Sequence, residues 1–248
     1  MPETTGGGAV DTLQKFSIPL AIVIAGALVA GALYFSGKGG AQNIGGAQPT
    51  PANVNVKDVK VGPSDPFIGK ADAPVTLAYW SDYQCPFCKA VEVGGVEGIN
   101  IDPSIPNLVR EYVDTGKLRI VFKDFAFLGN DSVTAALYEH AVWDTYPDKF
   151  FAWRTAMFEA QDDEGDQGFG DEASILALIK KIPGMNADTL KALVAQKKDA
   201  YTADQQADRE EGARFGISGT PGFITGTQLI AGAESLAVFK KAIDDQLK

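Results

Sequence analysis

The sequence is poor in the residues that build metal centres and disulfide frameworks, with only two cysteines and one histidine in 248 residues. A four-thiolate metal site or a second structural disulfide is therefore excluded, and a zinc site on His140 would have to recruit carboxylates. No metal and no organic cofactor is expected. His140 lies between Tyr138 and Val142 on an otherwise apolar helical face and reads as a structural histidine. Positive charge is scarce as well: 22 Lys and Arg stand against 32 Asp and Glu, for a net charge of -10. Phosphate backbones need a basic face, so nucleic acid is not an expected partner. The hydrophobic content of 45% is enough for a real core, and the length allows one large or two small domains.

What is present begins with an uncharged apolar run from Phe16 to Phe35, about long enough to cross a bilayer as a helix. Pro19 falls in its first turn, and Tyr34 and Phe35 stand where interfacial aromatics anchor a span. This gives an N-terminal tail over 1–15 and a transmembrane signal anchor over 16–36. The competing reading is a signal peptide cleaved at Ala30-Gly31-Ala32, which would release a secreted protein. Lysines do not fix the orientation, since Lys15 precedes the run while Lys38, Lys57 and Lys60 follow it. Residues 37–58 are mostly Gly, Ala, Gln, Asn and Pro, with little that could pack, and read as a flexible linker to a folded part over 59–248.

In that folded part, Val75 to Trp80 is a short apolar, β-branched and aromatic run between turn signals, the mark of a buried strand. A helix is expected to open at Cys85, with an interruption from Gly94-Gly95 to Pro106 and a second helical piece from Asn107 to Val113. A strand from Leu118 to Asp124 then completes a parallel βαβ unit. From Asp131 to Phe215 the apolar residues recur at helical spacing and no strand pattern is found. A hairpin of Gly222–Thr225 and Gln228–Ala231 and an amphipathic helix through Leu236, Phe239, Ile243 and Leu247 close an α/β fold.

The chemistry is concentrated in Cys85-Pro86-Phe87-Cys88, placed just after a buried strand and at a helix start. There the first sulfur meets unpaired backbone N–H groups and the positive end of the helix dipole, so Cys85 is expected to be the low-pKa nucleophile. Pro86 suits the first helical position, and helical geometry returns Cys88 to Cys85 one turn later to resolve a mixed disulfide. Phe87 offers neither charge nor hydrogen bond, so the helix terminus should be the main support of the thiolate. As a mere staple the pair closes too short a loop to stabilise the chain much.

The segment Asp82-Tyr-Gln-Cys-Pro-Phe-Cys88 after a strand, with Gly219-Thr-Pro-Gly-Phe223 far downstream, resembles the DsbA-like branch of the thioredoxin superfamily. So do Asp72-Ala-Pro-Val-Thr76, Val121-Phe-Lys-Asp-Phe125 and the Ala-rich stretch around Ala135 to Ala141. The resemblance implies a thioredoxin fold, βαβ and ββα halves with a helical insertion over about 129–216. It also implies a cis proline at Pro221 facing the cysteines, with the Thr220 backbone open to an extended substrate. The implied activity is thiol:disulfide exchange, most directly disulfide formation in exported proteins, with reoxidation by a membrane quinone-linked thiol oxidase. Two departures stand out: 94–103 looks like an insertion, and Phe87 replaces the histidine of the strongest oxidants, which leaves the redox direction open.

Asp82, Lys123 and Asp124 are candidates for tuning the sulfur pKa values, against plain turn and surface roles. The acidic stretch from Asp162 to Glu172 lacks the glycine register of a calcium loop and reads as a solvated loop. Stable disulfide chemistry belongs outside the cytoplasm, so the folded part is expected on the extracytoplasmic side of a single-pass anchor. The other readings are a reductase or isomerase of the same fold, and a non-redox binding or assembly module.

Overall fold

The structure is a computed structural model that describes residues 54–162 and 168–248. The expected anchor, the N-terminal tail and most of the linker lie outside the described residues, as does the middle of the acidic stretch. Among the described residues no helix is long and apolar enough to cross a membrane.

Five strands form one sheet in the order β1-β3-β2-β4-β5. Strand β2 (Val75–Ser81) is central, parallel to β3 (Leu118–Asp124) and antiparallel to β4 (Gly222–Thr225). Its mostly apolar run follows from burial on both faces. Leu77 and Tyr79 enter the main core, while Ala78 and Trp80 enter a smaller cluster with Val54, Val59, Phe125, Ile217 and Ile224. Strand β5 (Gln228–Ala231) pairs with β4 as the expected hairpin. The sequence reading missed β1 (Phe67–Ile68), which pairs antiparallel with β3. Two residues carry no readable alternation, and this strand exists only through its neighbour.

Helix α1 (Pro86–Glu92) follows β2 and carries the cysteine motif. The next helix differs from the expected one: α2 (Ser104–Leu108) starts ahead of Pro106 and runs on as a π turn, Val109–Val113. Pro106 sits in the first turn, where its missing N–H had no intrahelical partner, so it did not delay the helix. Among its described residues the middle block carries α-helices and no strand: α3 (Asn130–Thr145), α4 (Phe150–Ala160), α5 (Glu172–Ile179) and α6 (Ala187–Arg214). Asp171 caps α5 by accepting from Ser174 N, and Asn186 caps α6 by accepting from Thr189 N. Helix α7 (Leu236–Asp244) closes the chain by burying Phe239, Ala242 and Ile243.

The C-terminal end of α6 packs hard against the sheet. The Trp80 indole donates to Asp208 O at 2.9 Å, and a Cβ on Gly212 would meet the same indole Nε1 at 2.9 Å. A side chain there would force the helix off β2, which accounts for glycine inside a long helix.

Candidate functional site

Cys85 is the N-cap of α1, in extended backbone conformation, and Pro86 occupies the first helical turn. The Cys85 N–H donates to Asp82 O at 3.1 Å, and Lys89 N donates to Cys85 O at 3.0 Å. Both cysteines are free thiols and both are buried: Cys85 keeps 4% exposure and Cys88 none. Across from them the Thr220–Pro221 peptide is cis, and the Cys85 thiol donates to Thr220 O at 3.3 Å. The chain thus brings together Cys85, Cys88, Thr220 and Pro221, which are far apart in sequence.

The Cys85 pKa is lowered to about 7, above all by the hydrogen bond from Cys88, against the opposing effect of burial. Thr220 and the backbone N–H groups of Cys88 and Phe87 add to the lowering. The helix terminus therefore contributes, but the partner thiol, not the terminus, is the leading support. Cys88 moves the other way: burial pushes its thiol well up, and the neighbouring Cys85 adds to that. One sulfur is ready as a thiolate near neutral pH and the other holds its proton, a division of labour suited to thiol exchange. The rate of Cys85 alkylation by iodoacetamide should follow a titration with its midpoint at about pH 7. The folded state favours the thiolate, so the reduced form should gain stability as pH rises above about 7 and lose it as pH falls through that value.

Phe87 projects outward with 49% exposure, beside the buried sulfurs. Residues 94–103 form a loop after α1, with positive φ at Gly94, Gly95 and Gly98. Together with Pro86, Lys89, Gln161 and Asp162, its residues Gly95, Val96 and Glu97 line a groove next to the motif. Gln161 at the exit of α4 braces the same turn, its amide donating to Tyr83 O at 2.6 Å and Cys85 O at 3.1 Å.

Asp82 is 1% exposed and organises the loops around the motif. Its carboxylate accepts from Gln84 N, Phe127 N, Leu128 N and Ser132 Oγ, the shortest at 2.6 Å, while burial still raises its pKa. Lys123 is held in a separate buried cluster, 2.8 Å from both Asp65 and Asp208 and 3.5 Å from Glu211. Burial pushes Asp208 up to about 7 against the pull of that lysine, while Asp208 and Asp65 keep Lys123 protonated. In β3, Lys123 is paired with Trp80, whose side chain lies in the smaller core, whereas the cysteines lie in the main one. Asp124 pairs with His140 Nε2 at 2.8 Å. That contact raises the His140 pKa to about 9 despite burial, and the ring stacks on Tyr201.

A second polar group lies behind the cysteines, and the sequence reading did not single out its members. Arg154 of α4 is fully buried and donates to Glu92 at 2.8 Å, Glu139 at 3.4 Å, Ser81 Oγ at 2.8 Å and Tyr83 Oη at 3.2 Å. Its guanidinium also lies 4.2 Å from the Phe122 ring centroid and 5.1 Å from that of Tyr79. The one legible hint was Glu92, four residues after Cys88 on the same helix and so on the same face.

A β2-α1-β3 unit, a β4-β5-α7 unit, and a free dithiol at a helix start opposite a cis proline define a thioredoxin-type protein. The thioredoxin family profile matches residues 62–245, and the chain belongs to that family. Among curated proteins it is 28% identical over 183 residues to disulfide bond formation protein D of Bacillus subtilis, covering 74% of this chain and 77% of that one. Among solved structures it is similar to oxidised BdbD of Bacillus subtilis, at 25% identity and a TM-score of 0.65, covering 79% of this chain and 97% of that one. It is also similar to the thiol-disulfide exchange protein α-DsbA2 of Wolbachia pipientis, at 27% identity and a TM-score of 0.61, over 73% and 87% of the two chains. Within the family this chain is a DsbA-like thiol:disulfide oxidoreductase.

Proposed function

We propose that the protein forms disulfides in exported proteins, with Cys85 as the exchanging sulfur and Cys88 as its resolving partner. The observation that carries this reading is the opposite tuning of two adjacent thiols, one lowered to about 7 and the other raised by burial. In the oxidised protein a substrate thiolate attacks Cys85 Sγ, the Cys85–Cys88 bond breaks, and Cys88 leaves and takes a proton. A second substrate thiolate then attacks the substrate sulfur of the mixed disulfide and expels Cys85 as a thiolate. The substrate loses two electrons, and the dithiol keeps them until a thiol oxidase removes them.

The Thr220 backbone, beside the cis peptide and the Cys85 thiol, supports a role in pairing with an extended substrate segment. Pro86 and the exposed ring of Phe87 form the protein's own rim around the sulfur. The apolar run of 16–36 supports a single-pass anchor with the folded part outside the cytoplasm, where a membrane quinone-linked oxidase could reoxidise it.

Equilibration with glutathione buffers tests the direction. A donor should have a reduction potential more oxidising than about -200 mV, and a value near the thioredoxin range of about -270 mV would make it a reductase.

A further inference from the structure

The reactivity of Cys85 depends on the direction in which its own peptide points. As the N-cap of α1 it has φ -78° and ψ 120°, an extended conformation that is not part of the helix. In that conformation the sulfur lies beside the Phe87 and Cys88 backbone N–H groups and 3.3 Å from Thr220 O. A turn of ψ toward the helical value of about -42° would swing the sulfur away from those donors. The atom that moves with ψ is the Cys85 carbonyl oxygen.

Gln161, at the exit of α4 and 76 positions along the chain, holds that oxygen. Its Nε2 donates to Cys85 O at 3.1 Å and to Tyr83 O at 2.6 Å, so both amide protons go to carbonyls two residues apart. Both partners are acceptors only, which means that only the NH2 end of the side chain can face them. Lys89 N donates to the same Cys85 O as the first bond of α1, and the Lys89 ammonium donates to Gln161 O at 2.7 Å. The turn is thus tied to its own helix and to the helical insertion at once. Gln161 is 6% exposed, so little water competes for these bonds.

We propose that Gln161 is a positioning residue for thiol exchange: by holding the Tyr83 and Cys85 carbonyls it keeps the Cys85 sulfur at the helix start. Through it the helical insertion acts on the redox pair. This inference deepens the redox reading above and rests on it. The effect differs between the two redox forms. In the disulfide, the covalent bond to Cys88 already holds the Cys85 sulfur, whereas in the dithiol the backbone of the turn must do so. Gln161 therefore favours the reduced form, which makes the protein a stronger oxidant.

The test uses the full-length protein with Gln161→Met, which keeps most of the side-chain length and removes both donors. The substitution changes no charge, and Lys89, Glu97 and Asp162 in the adjoining groove and Asp82 before the motif stay as they are. The midpoint of Cys85 alkylation should move from about 7 to about 8, so that alkylation below pH 7 slows about tenfold. Equilibration with glutathione at pH 9 should favour the disulfide form about tenfold more than in the wild type, a potential about 30 mV more reducing. A brace with a purely structural role would weaken both redox forms alike, lowering the melting temperature and leaving midpoint and potential where they were. A folded variant with a midpoint within about 0.2 of the wild-type value, or with an unmoved potential, would overturn the inference. Should Gln161→Met fail to fold, Gln161→Ser decides by the same two readings. Its hydroxyl is too short to reach either carbonyl, and water entering from the groove can pair with them without restraining them. Failure of the broader reading looks different: the wild-type protein itself would not cycle between Cys85–Cys88 disulfide and dithiol.

Discussion

Cys88→Ala is expected to convert the protein from a catalyst into a trap. With glutathione disulfide, the Cys85 thiolate attacks one sulfur, one glutathione leaves, and the protein keeps the other as a mixed disulfide. In the wild-type protein the proposed role of Cys88, one helical turn away on α1, is to attack Cys85 Sγ and release that glutathione. That step is intramolecular, so its removal should slow release by more than about a thousandfold at millimolar thiol. A stable adduct of one glutathione should be visible by mass spectrometry, and Cys85→Ser should form none. The same substitution removes the leading support of the Cys85 thiolate, so the midpoint of Cys85 alkylation should rise from about 7. Turnover by Cys88→Ala at the wild-type rate would show that Cys88 does not resolve the intermediate.

Arg154→Met should be the most damaging substitution for the fold. The methionine fills much of the arginine volume but leaves Glu92 and Glu139 buried without their cation. Breaking a buried ion pair from one side costs about 3–5 kcal/mol, since the remaining charge is neither solvated nor paired. For a domain of this size that is a fall of roughly 10 °C in melting temperature. The loss should depend on pH in a definite direction. Burial already raises Glu139 to about 7, and Arg154 is the main influence holding it down. Without Arg154 both acids rise further, so the folded variant binds protons that the unfolded chain releases. Its stability should fall as pH rises from about 5 to 8, and its deficit should be smallest on the acid side. Urea unfolding at the two ends of that range measures both effects, and a deficit that grows toward acid would contradict the assignment.

Much of the fold was legible because local pattern and final environment agreed. The runs from Val75 and Leu118 are mostly apolar because their strands are buried on both faces along most of their length. Gly226-Thr227 between two short apolar stretches marked the hairpin correctly. Where pattern was absent the reading failed: β1 is two residues long, and α2 begins ahead of a proline that looked like a boundary. Lys123 and Asp124 illustrate a different limit. Their place at the end of β3 was readable, but strand alternation alone could not say that Asp65, Asp208 and Glu211 would surround the lysine and His140 would take the aspartate.

The sequence by itself determined the cysteine motif, its place at a helix start, and the partition into strands and a helical block, because these depend on spacing along one chain. Only the tertiary structure decided what makes the two sulfurs differ. Cys88 supports the Cys85 thiolate while burial keeps Cys88 protonated, and Thr220 arrives from 135 positions away. The Tyr79, Glu92 and Arg154 group behind them combines a strand, a helix and a residue 62 positions beyond Glu92. Electrostatic energies follow distances and burial in space, and no local spacing encodes those.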